Sequence, residues 1–168
     1  KELYQAFVDE EGKDGYRLNK SIITYDQLKA LGITVRDGQN MPGNAGYFSW
    51  KYRALKSDCM FDNPGLQFYQ YINVKFMRYA EVLLMAAEAH VMAGSGQDKA
   101  DDYVNQIRTR AQLPSKTNVT LEDIKIEKRL ELCMESVRFQ DLVRWGDTDV
   151  LVNQGKSVPS FMMQNGTP

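Results

Sequence analysis

Between Ile126 and Asp147 the chain reads IEKRLELCMESVRFQDLVRWGD, where carboxylates at Glu127, Glu131, Glu135 and Asp141 alternate with guanidiniums at Arg129, Arg138 and Arg144. Such residues suit three kinds of chemistry: acid–base catalysis, ligand recognition, or ion pairing that holds a fold. Cleaving a glycosidic bond needs two carboxyl groups roughly 5 to 10 Å apart across a cleft, one of them protonated. On one helix Glu131 and Glu135 lie a turn apart and point the same way, and the interleaved arginines favour their charged forms. The spacing predicts a structural lattice instead. Glu127, Glu131 and Glu135 form one ridge at i, i+4 and i+8, Arg138 follows Glu135 by three residues, and Asp141 precedes Arg144 by three. Arg138 is expected to pair with Glu135 or Asp141, so that its loss would strand a carboxylate.

Other chemistry finds little footing. His90 is the sole histidine, no Glu-x-x-His pair accompanies it, and it reads as a surface or packing residue rather than a metal ligand. There is no G-x-S-x-G, no glycine-rich loop ending in G-K-[ST], and no G-x-G-x-x-G, so no cofactor is expected. Asp98, Asp101 and Asp102 lack the loop glycine and closing glutamate of an EF-hand. Two cysteines, Cys59 and Cys133, are too few for a disulfide framework, and Cys133 falls in an apolar helical pattern suited to a buried thiol. With 21 Lys+Arg against 22 Asp+Glu the net charge is -1, which supplies no field to attract nucleic acid or an anionic membrane.

The elements that must position these residues are helical from about residue 75. VKFMRYAEVLLMAAEAHVMAG, apolar on most sides, predicts a buried helix capped by Gly94. From about Asp98 to Ala111, the residues Ala100, Tyr103, Val104, Ile107 and Ala111 make one apolar stripe, and Pro114 follows the helix end. The two form an αα-hairpin. Leu84, Ala87, Glu88 and Val91, then Ala100, Val104 and Ile107, fall at tetratricopeptide spacing, with Glu88 where a small residue is usual. Such a hairpin needs neighbouring hairpins to cover its other face, so the chain reads as a fragment. Thr120 can cap a third helix running into the charged stretch.

Residues 1–74 read as a loop-rich region with a helix-like opening, a short helix at TYDQLKALG (capping box Thr24 and Gln27, terminating Gly32) and a strand at GYFSWKYRAL. Residues 75–147 form the helical core, and 148–168 an irregular tail, all as one fragment of a larger single domain. The fold class expected is mainly α: tetratricopeptide-like helical repeat hairpins with a loop-rich, partly extended N-terminal portion. Aromatics crowd the span from Asn40 to Tyr71. Flat aromatic faces stack on sugar rings, which makes Trp50, Tyr47, Phe61 and Tyr69, in that order, candidate ligand contacts. Strand alternation places Tyr47 and Trp50 on opposite faces, so one of them should drop out.

RYAEVLLMAAEAHVMAG, VNQIRTRAQLP and IEKRLELCMESVRFQDLVRWGD together resemble, in order and spacing, the C-terminal half of the SusD/RagB family of Bacteroidetes surface glycan-binding lipoproteins. GYFSWKY resembles the strand that precedes them, and the likeness covers about residues 44 to 147. It implies a tetratricopeptide-like helical fold and no enzyme activity. It implies an outer-membrane, surface-exposed location through a lipid anchor this chain does not include, and delivery of oligosaccharide or polysaccharide to a TonB-dependent, SusC-like transporter. Arg78, Glu81, Asn105, Arg108, Arg110, Glu127, Arg129, Glu131, Glu135, Arg138, Asp141, Arg144 and Trp145 match framework motifs of the family rather than sugar contacts. Lys128 and Ser136 depart from it, standing where arginine and glycine are common. The competing expectation, from hairpin spacing alone, is a tetratricopeptide-like protein-interaction module without sugar affinity.

Overall fold

Thr24 and Thr120 each open a helix by the same device. The threonine hydroxyl accepts from the backbone N–H three residues on, and the side chain there, Gln27 or Asp123, accepts from the threonine N–H in return. The structure, a computed structural model, describes residues 1–33, 46–54, 58 and 71–154. In chain order these hold α1 (Glu2–Glu11), α2 (Tyr16–Ser21), β1 (Ile22–Thr24), α3 (Tyr25–Ala30), β2 (Tyr47–Ser49), α4 (Tyr79–Ala93), α5 (Gln97–Arg110), α6 (Leu121–Glu131), α7 (Arg138–Trp145) and α8 (Asp149–Gln154). The fold is mainly α, and no helix among the described residues is long and apolar enough to cross a membrane.

The hairpin of α4 and α5 packs where the apolar spacing places it. Leu84, Ala87, Ala100 and Val104 are fully buried in one cluster with Leu83, Ile107, Val119, Ile124 and Leu132. Asn105 pins the connection that follows, its amide donating to the Lys116 carbonyl at 2.8 Å and accepting from the Lys116 N–H at 2.8 Å. A second cluster joins Phe7, Leu18 and Ile22 to Leu130 and Cys133, with Tyr4 and Tyr47 packed against it. Helix α6 belongs to both clusters, through Ile124 on one side and Leu130 on the other.

Several expectations change. The first 33 residues carry α2 and β1 in addition to α1 at the helix-like opening and α3 after the capping box, so this part is more regular than expected. Helix α2 and strand β1 are too short to show a period; tertiary partners hold them. The strand expected over GYFSWKYRAL is limited to Tyr47–Ser49, paired antiparallel with β1 (Ile22↔Ser49, Thr24↔Tyr47). It ends because the N–H groups of Trp50 and Lys51 both donate to the Ser21 carbonyl, at 2.8 and 3.2 Å, which turns the chain. Helix α4 begins at Tyr79 rather than 75, and it is not buried all round: Tyr79 is 71% exposed, and Val82, Met85 and Met92 are exposed too. Part of the tail is helical, as α8.

Candidate functional site

Glu127 and Glu131, one turn apart on α6, are each about 1% exposed. A buried carboxylate requires hydrogen-bonded partners, and the surrounding elements supply them. Arg17 from α2 donates through Nη1 to Glu127 at 2.5 Å and Arg108 from α5 donates to its other oxygen at 3.0 Å. Glu131 accepts from Arg78 at 3.0 Å and from Arg110 at 2.5 Å. Arg17 is itself 5% exposed and spends Nε on Glu11 at 2.5 Å, while the second oxygen of Glu11 takes the Leu18 N–H at 3.0 Å. Arg108 also donates to Glu10 at 2.6 Å and to the Pro114 carbonyl at 2.7 Å. The lattice thus ties α1, α2 and α5 to α6 between the two apolar clusters.

Glu135 does not continue the helical ridge. Helix α6 ends at Glu131, and the following turn holds Met134 and Ser136 at φ 64° and 63°. That left-handed conformation costs Met134 and Ser136 free energy that glycine would escape. Glu135 reaches the lattice through Arg78, which donates from Nε at 2.8 Å and Nη2 at 2.7 Å, and through Lys51 at 2.5 Å.

Arg138 pairs with neither carboxylate expected of it. Glu135 takes Arg78 and Lys51, while Asp141 takes Lys128 at 2.8 Å and Arg144 at 2.9 Å. The Arg138 guanidinium lies 6.0 Å from the Trp145 ring centroid, and burial together with the like charge of Arg129 holds it below its usual range. Arg129 and Arg138 both line a cleft of about 730 Å³ between α1, α6, α7 and α8. Glu81 is half-buried on α4 beside a different cleft, outside the lattice around Glu131. Arg144 instead clamps Glu88 with two hydrogen bonds, and Trp145 Nε1 donates to the same carboxylate at 2.9 Å. The acid standing where a tetratricopeptide repeat would have a small residue is therefore the anchor of α7 on α4. Cys133 is a free, buried thiol whose pKa burial pushes up. Cys59 lies outside the described residues.

The electrostatics oppose general-acid chemistry. Burial pushes the Glu135 carboxyl up, but hydrogen bonds from Arg78 and Lys51 outweigh it and hold the group below the usual carboxylate range. Glu88 is held down in the same way by Arg144 and Trp145, and Glu10 by Arg108 and Lys116. Asp123, against burial, is held at about 2 by Thr120 and Lys116. Each folded-state value lies below its unfolded one. The resulting stability is present above roughly pH 4 to 4.5, where these groups are ionised in both states, and is lost as pH falls through the lowered values. The urea midpoint is expected to drop steadily between about pH 5 and pH 2. A midpoint unchanged over that range would show that these pairs contribute no net stability.

Of the aromatic candidates, Tyr47 is half-buried against Tyr4, ring centroids 4.6 Å apart. Trp50 is half-buried with the Arg53 guanidinium 4.3 Å above its ring. Phe61 and Tyr69 lie outside the described residues. Exposed aromatic surface gathers elsewhere, at Tyr71 (69% exposed), Phe76 (95%) and Tyr79 (71%). Two adjoining clefts of about 470 and 310 Å³ open between residues 72–76 and the turn at 134–137. Phe76, Val74, Lys75, Gln140 and Glu135 line the larger, and Tyr52, Ile72 and Asn73 extend the smaller. Lys75 sits 5.9 Å from the Tyr52 ring. Phe76 and Tyr79 escaped sequence reasoning because the surrounding apolar run reads as a buried helix.

The family model described as the SusD family matches residues 3–167. Among curated relatives, a SusD-like protein P2 of Formosa agariphila is 42% identical over 80 residues, 40% of this chain and 16% of that protein. A SusD-like protein of Bacteroides ovatus is 35% identical over 78 residues, 44% of this chain and 14% of that one. Among solved structures, a laminarin-binding SusD-like protein superposes with TM-score 0.70 at 33% identity, covering 94% of this chain and 32% of that one. Surface glycan-binding protein A from Bacteroides uniformis gives 0.66 at 29% identity, covering 87% and 29%. The chain therefore spans about a third or less of the length of these proteins. That family-model match, across residues 3–167, places this chain in the SusD family.

Proposed function

We propose that this chain is part of a non-catalytic glycan-binding protein of the bacterial outer-membrane surface, one that captures oligosaccharide or polysaccharide and passes it to a TonB-dependent transporter. The observation that carries the reading is the superposition on a laminarin-binding SusD-like protein over 94% of the chain. The site supports it: the carboxylates a hydrolase would recruit, Glu127, Glu131 and Glu135, are each held by two or more cations. Within the chain, the exposed aromatic cleft beside Phe76 and Tyr52 offers stacking faces with Lys75, Asn73 and Gln140 nearby to pair with hydroxyls. Trp50 is a second platform.

An oligosaccharide array on the full-length protein, followed by Phe76→Ala and Trp50→Ala, tests this. Phe76→Ala is expected to weaken retention of the bound glycan by roughly tenfold, with helix content unchanged, as for loss of one stacking ring. Unchanged binding in both variants would place the contacts outside this chain. One observation favours a second reading, a protein-docking surface without sugar affinity: Val74, Phe76, Met77 and Tyr79 form an exposed apolar row, each at least 60% exposed. An array blank for every glycan would select it.

A further inference from the structure

The aromatic cleft between residues 72–76 and the turn at 134–137 has a charge pattern of its own. Among the described residues, the acids on its wall are Glu81, Glu135 and Asp141, and the cation is Lys75. Glu135 and Asp141 are already compensated: Lys51 and Arg78 hold the first, Lys128 and Arg144 the second. Those cations are committed to the lattice and none of them lines the cleft. Glu81 differs. It stands half-buried in the first turn of α4, lines the larger cleft, and makes no ion pair among the described residues. Lys75 is exposed and likewise has no carboxylate partner there; its ammonium lies 5.9 Å from the Tyr52 ring.

Such a wall treats sugars unequally. A neutral sugar brings hydroxyls that can donate to the Glu81 carboxylate or accept from Lys75 and Asn73, while its ring stacks on Phe76, which is 95% exposed, or on Tyr52. A uronate or sulfated sugar brings a negative charge to a cleft where the charge of Lys75 is already matched by that of Glu81. No surplus cation is left to offset the loss of its hydration. A charge facing the wrong ligand is itself a means of discrimination. We propose that the cleft selects neutral glycans and rejects acidic ones, with Glu81 the residue that sets the preference. The proposal rests on the glycan reading of this cleft and adds the class of sugar it takes.

The test uses the full-length protein on an array where every neutral glycan is printed beside its sulfated derivative, and methyl-esterified beside free-acid homogalacturonan. In each retained pair the neutral member is expected to bind roughly tenfold more tightly. Glu81→Gln keeps the shape of the side chain and removes its charge. It should raise retention of the acidic members by about three- to tenfold and leave the neutral ones within about twofold. In the parent protein, raising NaCl from about 20 to 500 mM should also strengthen retention of the acidic members, because salt screens repulsion. That second measurement needs no variant to fold. Acidic members bound as tightly as neutral ones, or bound more weakly as salt rises, would overturn the selectivity; if Phe76→Ala abolishes that binding, the glycan reading of the cleft still stands. An array blank for every pair, or binding that Phe76→Ala leaves unchanged, would overturn the cleft as a glycan site and the selectivity with it.

Discussion

Arg17→Ala is expected to lower the unfolding free energy by roughly 3 to 5 kcal/mol, because it strands a buried carboxylate. The Glu11 side chain is fully buried, and without Arg17 it keeps only the Leu18 N–H, 3.0 Å from its second oxygen. Glu127 retains Arg108 at 3.0 Å, so Glu11 bears most of the penalty. Arg17→Lys should recover little, since a single ammonium cannot reproduce a fork that serves two carboxylates from Nε and Nη1. The contrast is Arg138→Ala. From sequence, that substitution should cost the larger amount. In the fold, Arg138 leaves Glu135 and Asp141 to other cations, and the loss should stay within about 1 kcal/mol. Urea unfolding of the two variants with slopes compared decides the matter. If Arg17→Ala unfolds at the parent midpoint, or Arg138→Ala loses as much as Arg17→Ala, the assignment of the lattice centre is wrong.

The second large effect is expected at Asp141. Lys128 is 3% exposed, and its ammonium donates to Asp141 at 2.8 Å; beyond that it has the Trp145 ring at 5.6 Å. Asp141→Ala would leave a buried cation with no carboxylate in direct contact, only the Trp145 ring and the longer-range charge of Glu88, at a cost of roughly 3 to 5 kcal/mol. Arg144 would suffer less, because it is about half exposed and keeps Glu88. Adding Lys128→Met removes the stranded charge and fills similar volume, so the double variant should be more stable than Asp141→Ala alone. Thermal melts of parent, single and double variants test this. Equal melting of single and double variants would show that the Lys128 ammonium is not what Asp141 satisfies.

The same mechanism explains why sequence spacing failed for Arg138 and succeeded for Arg144. Asp141 and Arg144 are three residues apart on one helix, where geometry is set locally. Glu135 and Arg138 are also three apart, but a left-handed residue at Ser136 lies between them, and α7 begins only at Arg138. The i, i+3 rule has no force across a helix break. Among the aromatics, Tyr47 went to the core because β2 pairs with a strand too short to be read in advance.

Residue order alone reveals whatever a single helix or its cap decides. The hairpin of α4 and α5, the capping boxes at Thr24 and Thr120, and the buried stripe of Ala100, Val104 and Ile107 all rest on periodicity and local hydrogen bonding. Tertiary structure alone decided which cation meets which carboxylate. Arg17 and Glu127 are 110 residues apart, and Arg78 and Glu135 are 57. No spacing rule reaches so far: a buried carboxylate must be paired, but any guanidinium that packing brings within reach can satisfy it. Packing chose Arg17 from α2, a helix of six residues too short for its period to announce the choice.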